Sequence, residues 1–299
     1  MVEVAKKSNK KIVSNKEVKA YYYGDTLELT TAVGNKGRKY LPYSDTEYIT
    51  LDGEIKEYKK SVNKSDNLGS VKKTMKRLRR LIANNFEGGQ NQLWLTLTYK
   101  INMRDVARLS SDLRQFLKKL RRKYGALEYI AVMEPQKRGA WHYHILLKTD
   151  DGRPLYIHND VIYKLWKHGF TKTKRLSESD NVAAYVMAYL TDMDVNEDDD
   201  TKKSKKIIKG MRLNFYPSNM QIYRCSRGIK APEVENGSKS KILDKYLSQY
   251  FNDSMETNLI EPNFYGERHL KGILKNGKDL KVETEFYNLS TYGGDDRVE

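Results

Sequence analysis

Two of the five histidines in this 299-residue chain stand two positions apart in Trp141-His142-Tyr143-His144-Ile145-Leu146-Leu147. In an extended strand, residues two apart point to one face. The spacing therefore predicts His142 and His144 projecting together, with Trp141, Tyr143, Ile145 and Leu147 turned toward a core. Adjacent imidazoles make a chelating pair; the alternative is a pair held structurally by hydrogen bonds. Glu134 precedes His142 by eight residues, and a hairpin through Pro135-Gln136-Lys137-Arg138-Gly139 brings its carboxylate beside the rings. Two nitrogens and a carboxylate leave coordination positions for water and phosphate oxygens, a set that suits Mn²⁺ or Mg²⁺. Ligand types alone leave zinc open. The other histidines, His158, His168 and His269, are scattered among polar residues.

A nucleophile is suggested by Ala183-Ala184-Tyr185-Val186-Met187-Ala188-Tyr189-Leu190. On a helix, Tyr185 and Tyr189 stand one turn apart on one face. A phenol, with an ordinary pKa of about 10, becomes a competent nucleophile toward phosphorus beside a cation. The alternative is that both rings simply pack an apolar helix.

The charge distribution supports a polyanionic partner. Of the formal +16, three quarters lies between Ser70 and Gly125, where fifteen lysines and arginines face three acids. Lys72, Lys73, Arg77 and Arg80 fall in one predicted helix and Arg114, Lys118, Arg121 and Arg122 in another. Lys172, Lys174 and Arg227 are further candidate contacts to a nucleic-acid backbone, which such clusters bind by releasing counterions. A solvated helix face is the bland alternative. The single cysteine, Cys225, excludes an internal disulfide, a thiolate zinc site and iron–sulfur ligation. At 38% hydrophobic and 11% aromatic the chain has the makings of a core. It contains no apolar run of the roughly 18 residues a membrane helix needs, and Met1 to Lys11 lacks the apolar centre of a leader. A soluble, cytoplasmic protein without a membrane partner is expected.

The elements that must position these groups follow from periodicity. Met75, Leu78, Leu81 and Ile82 predict an amphipathic helix from Val71, stopped before Gly88-Gly89. Leu93 to Tyr99 reads as a strand, with Trp94, Thr96 and Thr98 on one face. Val106, Leu109, Leu113, Phe116, Leu117, Leu120 and Tyr124 mark a long helix ending at Gly125. Two strands, Ala126 to Met133 and Trp141 to Leu147, follow. Then come a short helix at Val161 to Trp166, a strand at Phe170 to Leu176 and an apolar helix at Asn181 to Leu190. Asp192 to Asp200, followed by the basic run Lys202 to Lys209, reads as an excursion without calcium-loop spacing. Met211 to Ile229 has strand-like character, with a turn at Tyr216-Pro217-Ser218-Asn219. The order predicts an α+β fold, an antiparallel sheet flanked by helices of ferredoxin-like or split βαβ type. Residues 70–230 would form this domain, with a polar, tyrosine-rich arm at 1–69 containing one β-ribbon and a polar, irregular extension at 231–299.

Leu95-Thr96-Leu97-Thr98, Glu134 with His142-Tyr143-His144, and Tyr185 downstream resemble, in order, the three motifs of the HUH endonucleases. They are most similar to the rolling-circle replication initiators of plasmids and bacteriophages. The most specific portion is Glu134 to His144; Ser226-Arg227-Gly228 is similar as well. The resemblance covers roughly Leu93 to Ile229. It implies that Glu134, His142 and His144 bind the ion. Tyr185 would nick single-stranded DNA at a replication origin through a 5′-phosphotyrosyl link, which frees a 3′-hydroxyl for polymerase and allows later rejoining. Many initiators carry Lys three positions after the tyrosine; here Ala188 stands there, leaving the lysine's role to Lys172 or Lys174, or to no residue. Tyr189 stays open as a second nucleophile. Relaxases and single-strand transposases share the three motifs, and a non-catalytic basic DNA-binding protein with a structural histidine pair is the reading outside enzymes. A phosphate loop ending in Gly-Lys-Ser/Thr is missing from the sequence, so host helicase and DNA polymerase are implied as partners.

Overall fold

The computed structural model describes residues 10–35, 37–38, 40–136, 138–176, 211–250, 257–270 and 279–292. In chain order the strands and helices are β1 (Glu17–Tyr23), β2 (Thr26–Val33), β3 (Tyr40–Pro42), β4 (Glu47–Thr50), β5 (Ile55–Glu57), α1 (Leu68–Ala83), β6 (Gln92–Thr98), α2 (Val106–Tyr124), β7 (Leu127–Pro135), β8 (Trp141–Thr149), α3 (Asn159–Trp166), β9 (Thr171–Arg175), β10 (Tyr223–Cys225), β11 (Glu233–Ser238), α4 (Lys239–Leu247), β12 (Phe264–Leu270) and β13 (Leu280–Asn288). The chain divides into two compact units, Ser61–Ala231 and Met1–Lys60 with Pro232–Glu299. The architecture is α+β, with antiparallel sheets and four α-helices among the described residues.

The unit Ser61–Ala231 is built on a five-stranded sheet in the order β10-β7-β8-β6-β9. α2 begins where the Asp105 carboxylate accepts the N–H groups of Ala107 and Arg108, and ends at Gly125 with φ +79°, a conformation that favours glycine. Its buried stripe of Leu109, Leu113, Phe116, Leu117 and Leu120 is the one the spacing predicts. α2 covers one face of the sheet, where the Tyr143 hydroxyl donates to the Leu109 carbonyl at 2.8 Å and Arg224 Nη2 donates to Ser110 Oγ at 2.9 Å. The β7–β8 turn closes with Gly139 N–H donating to the Gln136 carbonyl. A Cβ on Gly139 would come within 2.9 Å of the Phe215 ring, and the residue has φ +85°, so the tight connection needs glycine on both counts.

Two expectations need correction. Met211–Phe215 is a 3₁₀ turn rather than a strand, which turns Leu213 and Tyr216, three apart, into the core; only β10 remains strand in that region. The ends of the chain are not an arm and an irregular tail. The expected ribbon, β1 with β2, joins β11, β12 and β13 in a second sheet of order β11-β1-β2-β13-β12. α4 packs Ile242, Leu243 and Leu247 into a core with Ile12, Val18, Leu27, Leu29 and Tyr287. The helix expected at Asn181 to Leu190 and the charged runs that follow it lie outside the described residues. No helix among the described residues is long and apolar enough to cross a membrane.

The second unit is fastened by a buried ion pair. Lys239 Nζ donates to Glu285 Oε1 at 2.9 Å and to the Ile12 carbonyl at 2.8 Å; the Ile12 N–H and the Tyr287 hydroxyl complete the Glu285 shell. Both charged side chains are essentially sealed from solvent. Removing one member of such a pair strands the other charge. Lys239→Met is therefore expected to lower stability by about 3–5 kcal/mol in urea unfolding; a loss under about 1 kcal/mol would show that the pair does not hold the termini together.

Candidate metal centre

Register brings the three expected ligands together. On β8, His142 pairs with Glu134 of β7 and Thr98 of β6, and His144 pairs with Val132 and Thr96. Paired residues share a face, so Glu134, His142, His144, Thr96 and Thr98 all lie on the face opposite α2. The Nε2 atoms of His142 and His144 are 2.9 Å apart, and Glu134 Oε2 lies 3.3 and 3.2 Å from them. Octahedral bonds of about 2.1 Å place neighbouring ligand atoms about 3 Å apart. The three atoms therefore have the spacing of one triangular face around a cation, and the cluster could hold a metal ion. All three residues are buried. The Nδ1 of His142 is buried with no hydrogen-bond partner among the described residues, as a purely structural pair would not leave it.

The protonation states suit ligation. Burial pushes Glu134 upward, but hydrogen bonds and charge from His142 and His144 outweigh it and hold the carboxyl at about 2. Burial pushes His144 down, only partly offset by Glu134, which favours the neutral ring with a free lone pair. Arg212 Nη1 donates to Glu134 Oε1 at 2.5 Å, fixing the carboxylate with Oε2 toward the imidazoles.

A comparison with known families agrees with this geometry. Residues 92–194 match the family model of the replication-associated protein ORF2, the gene-2 protein family. No curated protein and no solved structure matches the chain. The replication-associated segment is about a third of the chain; it runs from β6 through β9, includes all three clustered residues, and extends over Tyr185 and Tyr189. Both tyrosines lie outside the described residues. The described phenols nearest the cluster's strands are engaged elsewhere. Tyr143 donates to Leu109, Tyr216 to the Met133 carbonyl and Tyr99 to Asp112, and burial pushes each of them upward.

The remaining candidates divide. Lys172 pairs with Thr96 and Lys174 with Trp94, so both lie on the cluster's face, and both are exposed. Lys72, Lys73 and Arg77 are exposed on α1, but Arg80 is only 9% exposed, which removes it from any surface that a passing strand touches. Arg114, Lys118, Arg121 and Arg122 are exposed on α2, and Arg227 is exposed beyond β10. Arg212 carries no local signal in the sequence, because a residue 78 positions away reaches Glu134 only through the fold.

Trp94 and Thr96 were legible as face-mates in β6, but not as partners of His144. The Trp94 indole donates to His144 Nδ1 at 3.3 Å, and Thr96 Oγ1 lies 3.4 Å from the same nitrogen. An indole N–H only donates, so accepting it leaves the ring proton on Nε2, toward Glu134. Ligation through Nε2 requires the proton on Nδ1 instead, where Thr96 is the acceptor within reach. Thr96→Val is expected to weaken Mn²⁺ binding by about 10–100-fold in isothermal titration, while Trp94→Phe leaves it unchanged or tighter. Unaltered affinity in Thr96→Val would contradict this assignment.

Proposed function

We propose that the chain initiates replication by nicking single-stranded DNA at an origin and rejoining strands, as an HUH-type rolling-circle initiator of plasmid or bacteriophage kind. The observation that carries the reading is the buried Glu134, His142 and His144 cluster, with ligand atoms near 3 Å apart, inside the replication-associated segment. Mn²⁺ or Mg²⁺ bound there supplies Lewis-acid polarisation of the scissile phosphate. Glu134 and the two imidazoles hold that position, and Arg212 keeps Glu134 oriented. The Tyr185 oxygen forms a bond to phosphorus as the bond to the 3′-oxygen breaks. The phenolic proton is lost, the 3′-oxygen leaves as a hydroxyl, and the 5′ phosphate stays on the protein. Rejoining runs the same exchange in reverse, without a nucleotide cofactor. Lys172 and Lys174, exposed on the same face, contact the strand's phosphates. The 3′-hydroxyl is a substrate for a host DNA polymerase, and unwinding falls to a host helicase.

The test is incubation of the full chain with labelled single-stranded oligonucleotides from its replicon and Mn²⁺, followed by denaturing electrophoresis. Covalent adduct is expected with the unsubstituted chain and with Tyr189→Phe. None is expected with Tyr185→Phe, with His142→Ala or with chelator. Adduct persisting in Tyr185→Phe and vanishing in Tyr189→Phe would move the nucleophile to Tyr189. No adduct in any sample, with oligonucleotide binding retained, would leave a non-catalytic DNA-binding protein.

A further inference from the structure

The sheet of the Ser61–Ala231 unit has a second charged surface, on the face away from the metal cluster. Side chains alternate along β7, so Tyr129 and Ala131 point opposite to Val132 and Glu134, and Arg224 of β10 pairs with Ala131. Between this edge of the sheet and α2 runs a groove of about 530 Å³, lined by Arg114, Lys118, Arg121, Arg122, Arg224 and Tyr129 among others, with no acidic residue in its lining. It is continuous, through Arg121 and Tyr129, with a second hollow of about 490 Å³ that reaches Arg227.

Two of these cations are fixed in advance. Arg121 donates through Nε and Nη2 to the Leu127 carbonyl and lies 5.6 Å from the centre of the Tyr129 ring. Arg224 is held by Ser110, and its Nε is buried with no hydrogen-bond partner among the described residues. Arg114, Lys118 and Arg122 are exposed, and none is in an ion pair among the described residues. They recur at four-residue steps, so they form one ridge about 12 Å long.

We infer that this groove binds the sugar-phosphate backbone of a duplex DNA segment, separate from the single strand at the metal cluster. Five cations without a lining acid select a polyanion. The ridge's length matches the roughly 12 Å width of the B-form major groove, so its cations can reach phosphates of both strands. Unstacked bases need free aromatic faces, and the one ring lining the groove already carries Arg121. The contacts are to phosphate and carry position rather than sequence. Duplex binding here requires neither the ion nor a tyrosine, and so stands apart from the nicking chemistry.

The test measures fluorescence anisotropy of the full chain, in chelator, with a labelled duplex of about 20 base pairs and with one of its strands alone, across a salt series. For Arg114→Gln/Lys118→Gln/Arg122→Gln the duplex affinity is expected to fall tenfold or more at about 0.1 M salt. The slope of log affinity against log salt is expected to shrink by about 3, one unit per lost phosphate contact. Single-strand affinity, and Mn²⁺ affinity measured without chelator, should stay unchanged, which also reports an intact fold. Arg114→Lys/Arg122→Lys should retain duplex binding, because point charges suffice for phosphate. Unchanged duplex affinity in the triple variant, or an equal loss for the single strand, would overturn the inference whether or not the chain nicks DNA.

Discussion

Pairing of β7 with β8 sets Glu134 opposite His142 and Val132 opposite His144 along an unbroken ladder from Leu127 to Pro135. The side-chain period of a strand is two, so a slip of one residue would send Glu134 to the α2 face and leave the imidazoles without a carboxylate. The register is therefore a chemical constraint as well as a structural one. It is pinned at the turn by Gly139, whose left-handed backbone and missing Cβ let the hairpin close against Phe215 and Arg104. It is pinned along the strand by Tyr143, Ile145 and Leu147, all sealed in the core beneath α2 and α3.

From that register comes a division of the sheet into two working faces. One carries the acid and imidazoles, with Arg212 bracing the carboxylate and exposed lysines on β9 beyond. The other is covered by α2, whose apolar stripe is buried while its cations line a groove at the β10 edge. A single basic cluster in the sequence is thus split by the fold into surfaces that cannot all touch one strand of nucleic acid.

The cluster itself was legible because its determinants are local. An HxH spacing, a carboxylate eight residues upstream and a glycine-containing turn need only the strand period and a hairpin. α2 was equally legible, from a seven-residue apolar stripe between Asp105 and Gly125. The groups around the cluster were not, because Arg212 and the choice between Trp94 and Thr96 at His144 depend on contacts made across the sequence. The second unit was hidden for a different reason. In β13 the buried face is Glu283, Glu285 and Tyr287, while Val282 and Phe286 are less buried, so hydropathy reads the strand inside out. Glu28 of β2 is likewise buried, accepting the Tyr23 hydroxyl. Lys16, Lys239 and Tyr265 make those buried carboxylates tolerable, and they come from distant parts of the chain.

The most direct measurement is anomalous X-ray scattering from crystals of the protein soaked in Mn²⁺. A single strong peak is expected about 2.1–2.3 Å from the Nε2 atoms of His142 and His144 and from one oxygen of Glu134, with the His144 Nδ1 turned to Thr96. A cluster that stays empty at saturating Mn²⁺, with the two imidazoles still hydrogen-bonded to each other, would contradict the assignment of these three residues as a metal centre.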